Sequence, residues 1–168
     1  MSCLKSSSGI TSTDSEVMQR RVLGIDFGTR RVGVALSDPL RFLARRLVTI
    51  DRVRGDGEGP VSEIAALCAE HDVDTIVVGF PARTDGRDSE TGALASAFAD
   101  ALRQASDCRV ELYDERYTSV LASRVIVETA SKKKKKDKSL VDRIAAEILL
   151  QDWLDRERGG LTAGPCGS

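Results

Sequence analysis

The chain has 168 residues, 41% of them apolar and 30% charged, with a formal net charge of −1. That length suits one domain with a full hydrophobic core, and the charge balance excludes a protein drawn to polyanions by its overall field. No apolar run approaches the roughly 18–20 residues that span a bilayer, so no integral membrane protein is expected. Cys3, Cys68, Cys108 and Cys166 are scattered, with no C-x-x-C pair, which fits a reducing cytoplasm. His71 is the one histidine, so a His-rich zinc site or a mechanism with two imidazoles is excluded. Any catalysis falls to carboxylates, hydroxyls or cations.

Residues 1–20 hold eight Ser or Thr without hydrophobic period and predict a flexible tail. They lack the apolar stretch of a secretory signal and the basic bias of a transit peptide. Order begins at 21–27, an apolar run closed by Gly28, and resumes at 31–37 after a turn, so the two runs predict a hairpin. A third strand is expected at 43–50. The glycine-rich stretch 54–60 leads into an amphipathic helix carrying Val61, Ile64, Leu67 and Cys68 and ending near His71. A buried strand follows at 75–79, then a loop through Pro81, Asp85 and Gly86, a helix over 89–104 and a strand over 109–113. Two more helical patterns lie near 119–128 and 139–156, separated by a lysine-rich linker. Residues 159–168 carry four glycines and a proline and predict a second flexible tail, which leaves a globular domain over 21–158. The order β-β-β-α-β-α-β-α-α predicts a five-stranded mixed α/β sheet, three antiparallel strands then two parallel, with helices on both faces.

Three carboxylates stand out. Asp26 lies inside an apolar strand, where an ionised group is costly unless paired, hydrogen-bonded or bound to metal; the simpler reading is a turn cap accepting the amides of Gly28 and Thr29. Glu115, in Asp114-Glu115-Arg116, directly follows a strand that delivers side chains to the rim of the sheet, or else belongs to a solvated loop. Asp142 completes a capping box with Ser139, yet it shares one helical stripe with Ala146, Leu149 and Trp153. Three acids at one rim suit Mg²⁺ or Mn²⁺, and two such ions clamp the attacking and leaving oxygens of a phosphodiester.

Charge is unevenly spread. Residues 124–143 carry +5 and residues 41–54 carry +4, against −10 on the remainder. The run Lys132, Lys133, Lys134, Lys135, Lys136 and Lys138 borders the acidic site, and it reads either as a phosphate clamp or as a solvated linker. Phe27 and Phe42 are expected to pack, and Trp153 to anchor the core. Gly24, Gly28 and Gly33 form no dinucleotide fingerprint, because a strand follows where a helix is required.

The segment Val22-Leu-Gly-Ile-Asp26-Phe-Gly-Thr-Arg-Arg-Val-Gly-Val-Ala-Leu-Ser-Asp38-Pro39 resembles the opening motif of the YqgF/RuvX family. So do Val77-Val-Gly-Phe-Pro81 with Asp85-Gly86, Asp114-Glu115-Arg116-Tyr-Thr118-Ser119, and Asp142-Arg-Ile-Ala-Ala146-Glu-Ile-Leu-Leu-Gln151-Asp-Trp-Leu154. Ser119 stands where the family usually has Thr, and Trp153 where Tyr is common. The resemblance implies a ribonuclease-H-like fold and a metal-dependent nuclease that matures the 5′ end of precursor 16S rRNA. It places the catalytic, metal-holding acids on Asp26, Glu115 and Asp142, with Asp114 and Asp85 as alternative ligands and Mg²⁺ or Mn²⁺ as cofactor. Nucleic-acid contacts are expected from Arg30, Arg116, Thr118, Ser119, the lysine run and Arg143. Expected partners are an rRNA precursor or branched DNA, and ribosomal particles, in the cytoplasm. Three other functions compete: a Holliday-junction resolvase, a non-catalytic rRNA-binding assembly factor, and an actin-like nucleotide-binding domain. The last is suggested by the loop around Asp26, but it needs a second domain to close on nucleotide.

Overall fold

The computed structural model describes residues 20–28, 30–52, 58–80, 88–114 and 138–162. In chain order these form β1 (Arg21–Phe27), β2 (Arg31–Ser37), β3 (Ala44–Asp51), α1 (Glu58–Glu70), β4 (Val73–Phe80), α2 (Asp88–Ala105), β5 (Arg109–Asp114) and α3 (Lys138–Thr162). The helix expected near 119–128 lies outside the described residues. The strands make one sheet in the order β3-β2-β1-β4-β5. β1, β2 and β3 pair antiparallel, as hairpins joined by short turns must. β4 and β5 run parallel to β1, because α1 and α2 supply the crossovers. This is the architecture expected from the sequence.

Alternation along β1 divides the interior into two layers. Leu23, Ile25 and Phe27 face one side, where they meet Val32, Val34, Ile76 and Val78 and are covered by Ile64 and Cys68 of α1 and Phe98 and Leu102 of α2. Phe27 and Phe98 pack with ring centroids 4.9 Å apart. Val22, Gly24 and Asp26 face the other side. The sheet there is lined by small residues, Ala35, Ala44 and Val77 among them, and is covered by Leu149, Leu150, Trp153 and Leu154 of α3. Such a lining lets one helix lie unusually low on the sheet. A side-chain carbon at Gly24 would stand 2.6 Å from Cβ of Leu150, inside contact distance.

α3 is longer than the expected 139–156. It takes in Lys138 and Ser139 at its start and continues through Gly159 and Gly160 to Thr162. Glycine weakens a helix by about 1 kcal/mol per residue without forbidding it, so the pair did not mark an end. At the other pole, Gln151 of α3 accepts the amide of Ala44 (2.9 Å) and donates to the carbonyl of Phe42 (3.0 Å), fixing the helix to the start of β3.

The β2–β3 turn is built around Asp38 and Arg41. Asp38 Oδ1 accepts the amides of Phe42 (2.6 Å) and Leu43 (2.8 Å). Burial pushes its carboxyl up, but the amides of Leu43, Phe42 and Leu40 outweigh this and hold it below the ordinary value. Arg41 adopts a left-handed φ of 57° and grips both oxygens of Asp74 at 2.6 and 2.8 Å. Phe42 does not pack inside as expected. It is 51% exposed, with the Arg158 guanidinium 4.9 Å from its ring centroid. A register shift at Val34/Ala35 interrupts the β2–β3 ladder.

Cys68 and Cys108 are free thiols. The Cys108 thiol donates to the carbonyl of Val73 at 3.3 Å. Burial, then the neighbouring Cys108, pushes the Cys68 thiol up, so it stays neutral and acts as a small apolar residue.

Candidate active site

Backbone register sets the site. Tyr113 pairs with Gly79, Gly79 with Asp26, Asp26 with Gly33, and Gly33 with Thr49. These five residues form one row across all five strands, and directly opposed residues share a face. Asp26 therefore stands on the α3 side of the sheet, between two glycines, and is only 3% exposed. The strand has carried a carboxylate into the interior, flanked on both neighbouring strands by residues without side chains.

α3 enters that row from above. A Cβ at Gly33 would lie 2.1 Å from the carbonyl oxygen of Asp142 and 2.5 Å from its carbonyl carbon. The helix backbone at Asp142 thus rests on β2 beside Asp26. Two of the three acids expected from the sequence are brought together by that contact. The amide of Gly28 donates to the carbonyl of Arg31 at 3.0 Å and closes the hairpin, while Thr29, the other amide of the expected cap, lies outside the described residues. Ser139 is already inside α3, not ahead of it, and Asp142 Oδ2 lies 3.5 Å from Nη1 of Arg31.

Two arginines that sequence reasoning passed over shape the rim. Arg31 stands two residues before Gly33 on the same face and also approaches Asp51, its Nε 3.6 Å from Oδ1. Arg52 donates from Nη1 to the carbonyl of Gly28 at 2.9 Å, and its guanidinium lies 4.5 Å from the Phe27 ring centroid. It braces the turn that follows Asp26. The signal for Arg31 was its strand parity with Gly33, and for Arg52 the +4 segment.

At the β5 end of the row, Tyr113 donates its hydroxyl to Asp152 of α3 in a short hydrogen bond. Burial, then Asp152, pushes the phenol up. Arg156 pairs with the same carboxylate at 3.2 Å. Trp153, the expected core anchor, is buried and donates from Nε1 to Glu111 at 3.2 Å. Both bonds tie β5, the strand that leads to Asp114 and Glu115, to α3, the helix that carries Asp142.

The remaining expected residues divide simply. Arg30 is exposed beside the hairpin turn and Arg143 is half-buried next to Asp142. Asp114 ends β5, its backbone paired with Phe80, one step beyond the Tyr113–Gly79 pair. Lys138 is the first residue of α3. Asp85, Glu115, Arg116, Thr118, Ser119 and Lys132 to Lys136 lie outside the described residues. Among the described residues, no three His, Cys, Asp or Glu side chains gather closely enough to hold a metal ion, and no helix is long and apolar enough to cross a membrane.

Residues 20–156 match the family model described as "RuvX: Holliday junction resolvase". Two relatives carry the name "Putative pre-16S rRNA nuclease". The one from Halalkalibacterium halodurans is 38% identical over 138 residues, 82% of this chain and 98% of the relative. That from Acetivibrio thermocellus is 46% identical over 136 residues, 80% of this chain and 95% of the relative. Among solved structures, T. thermophilus RuvC in complex with Holliday junction substrate superposes with a TM-score of 0.51 at 18% identity, over 83% of this chain and 96% of that one. This likeness shows the ribonuclease-H-like fold. By the family match and the identity with these relatives, the chain belongs to the RuvX family.

Proposed function

We propose that this protein is a metal-dependent endonuclease that hydrolyses phosphodiester bonds and processes the 5′ end of precursor 16S rRNA. The observation that carries the reading is the seating of Asp142 on Gly33, directly beside the buried Asp26. The relatives' shared name supports the substrate, and the family description supports branched DNA as the second candidate.

The donor set fits a hard divalent cation. Asp26 and Asp142 offer only oxygen, the donor that a hard cation takes. We assign Asp26, Asp142 and Glu115 as the residues that would hold Mg²⁺ or Mn²⁺, two ions in all. Glu111 and Tyr113 stand on the α3 side of the sheet, tied to Trp153 and Asp152. Strand alternation gives 115, not 114, their odd parity, which favours Glu115 over Asp114. When bound, the ions would activate water and stabilise charge on the phosphate. The protein's own part is to hold two carboxylates at a fixed separation on strand and helix, with their approach set by backbone contact. Arg30, Arg143, Arg116, Thr118, Ser119 and the lysine run 132–136 with Lys138 would position the nucleic-acid backbone by charge and hydrogen bonding. The free thiols Cys68 and Cys108 agree with a reducing cytoplasm, where ribosomal particles supply the substrate.

The test is incubation with precursor 16S RNA and with a four-way DNA junction, each with and without Mn²⁺ or Mg²⁺. Metal-dependent cutting of the RNA that Asp26→Asn abolishes is the expected result. Cutting of the junction alone selects the resolvase, and tight RNA binding without cutting selects the assembly factor.

A further inference from the structure

Arg31 occupies an unusual place. Its guanidinium stands between two carboxylates, 3.5 Å from Asp142 and 3.6 Å from Asp51, and neither distance is that of a tight charge-assisted hydrogen bond. The Arg31 side chain is 28% exposed and that of Asp142 30%, whereas Asp51 is 84% exposed. Register pairs Arg31 directly with Asp51, so the second carboxylate sits on the neighbouring strand at the end of β3. An arginine keeps its charge at any working pH. A fixed monovalent cation is thus shared between one acid of the proposed metal site and one acid outside it.

We infer that Arg31 is the counter-cation of Asp142 in the metal-free protein, and that a divalent ion binds by displacing it toward Asp51. The inference rests on the reading of Asp26 and Asp142 as metal ligands. The same carboxylate cannot be held by the guanidinium and coordinate an ion with full strength, since the two cations repel across a few ångströms. Asp51 supplies the second seat, already within ion-pair distance, so the exchange needs a side-chain rotation and no backbone movement. In the metal-free state Arg31 places positive charge beside Asp142, an acid of the proposed site. Metal affinity is then set by competition inside the protein as well as by the ligands themselves.

The measurement is Mn²⁺ binding by calorimetry, with thermal unfolding in the presence and absence of Mn²⁺, on the full chain. Arg31→Gln should bind Mn²⁺ about tenfold more tightly than wild type and show a larger rise in Tm on adding it. Arg31→Lys, which keeps the charge, should stay within about threefold of wild type. Asp51→Asn lies at the surface and leaves Arg31 wholly on Asp142, so it should bind about threefold more weakly. In the double variant the Asp51→Asn effect should vanish, because it acts through Arg31. Simple loss of surface charge would instead persist and add. Equal or weaker Mn²⁺ binding by Arg31→Gln, with wild type binding normally, overturns the exchange and leaves the metal site standing. Absence of Mn²⁺ binding by wild type overturns the metal site and the exchange with it.

Discussion

The carbonyl oxygen of Asp142 occupies the space that a side chain at Gly33 would fill. Helix and strand meet there backbone to backbone, and the contact fixes how far Asp142 stands from Asp26, the register partner of Gly33. Gly33→Ala must push the start of α3 outward by close to an ångström. Misplacement on that scale lowers rates by about 10²-fold, so nuclease activity should fall at least that far. Overpacking should cost about 1–3 kcal/mol of stability. Gly24→Ala, which meets the Leu150 side chain lower on the same helix, should cost similar stability and far less activity. Chemical denaturation paired with a cleavage assay separates the two effects.

Asp26→Asn should abolish cleavage and leave the fold intact. Its unfolding free energy should equal or exceed that of wild type, because a buried carboxylate loses its charge. Asp142→Asn should also abolish cleavage. A variant of either that is folded and cuts at the wild-type rate removes that residue from the site.

Glu115→Gln should lose activity while Asp114→Asn keeps most of it. Reversal of that order makes Asp114 the ligand. Steady-state cleavage of one RNA substrate by both variants is sufficient.

Tyr113→Phe removes the hydroxyl that joins β5 to Asp152 of α3. The loss should be about 0.5–1.5 kcal/mol at neutral pH, the net worth of one hydrogen bond. The pH dependence has a definite sign. Burial, then Asp152, raises the folded-state pKa of Tyr113 above its unfolded value, so the folded state holds the phenolic proton more tightly. That stability is fully present below the unfolded value, near pH 10, and is lost as pH rises through the folded value. Denaturant unfolding at pH 8 and pH 11 should therefore show a smaller alkaline loss for Tyr113→Phe than for wild type.

Replacing Lys133, Lys134 and Lys135 with Gln should weaken RNA binding across unrelated sequences alike. Each phosphate contact on a single strand contributes about −0.7 to the log–log salt slope, so the slope should become shallower by up to about 2. Turnover at saturating substrate should change much less. An unchanged affinity and slope assigns the run to a solvated linker.

Much of this was legible in the sequence because the signals were local. Short runs of strand character at 21–27, 31–37, 43–50, 75–79 and 109–113 marked all five strands, and the stripe from Asp142 to Trp153 marked the packed face of α3. An acid inside an apolar strand is expensive enough to be conspicuous, which singled out Asp26. The contact between Gly33 and Asp142 was invisible, since it joins positions more than a hundred residues apart. The double role of Arg31 was equally hidden, because strand pairing with Asp51 and helix seating on Gly33 are both needed to see it. Phe42 was misjudged for a related reason. Apolarity predicts burial, but a turn braced by Asp38 and Arg41 holds that ring outside, where Arg158 covers one face.

The interrupted β2–β3 ladder has a bearing on how the protein behaves in concentrated solution. Among the described residues β3 is the last strand on one side of the sheet, the position at which another extended chain would add to it. The register shift at Val34/Ala35 sits just beside Arg45 and Arg46, which pair with Leu36 and Ala35 and so project to opposite faces. A strand docking in register from another copy would bring arginine against arginine at the ~4.8 Å spacing of neighbouring strands, on both faces at once. The local irregularity adds twist where a flat template would be needed. Together they make the outer border of this sheet a poor seed for aggregation.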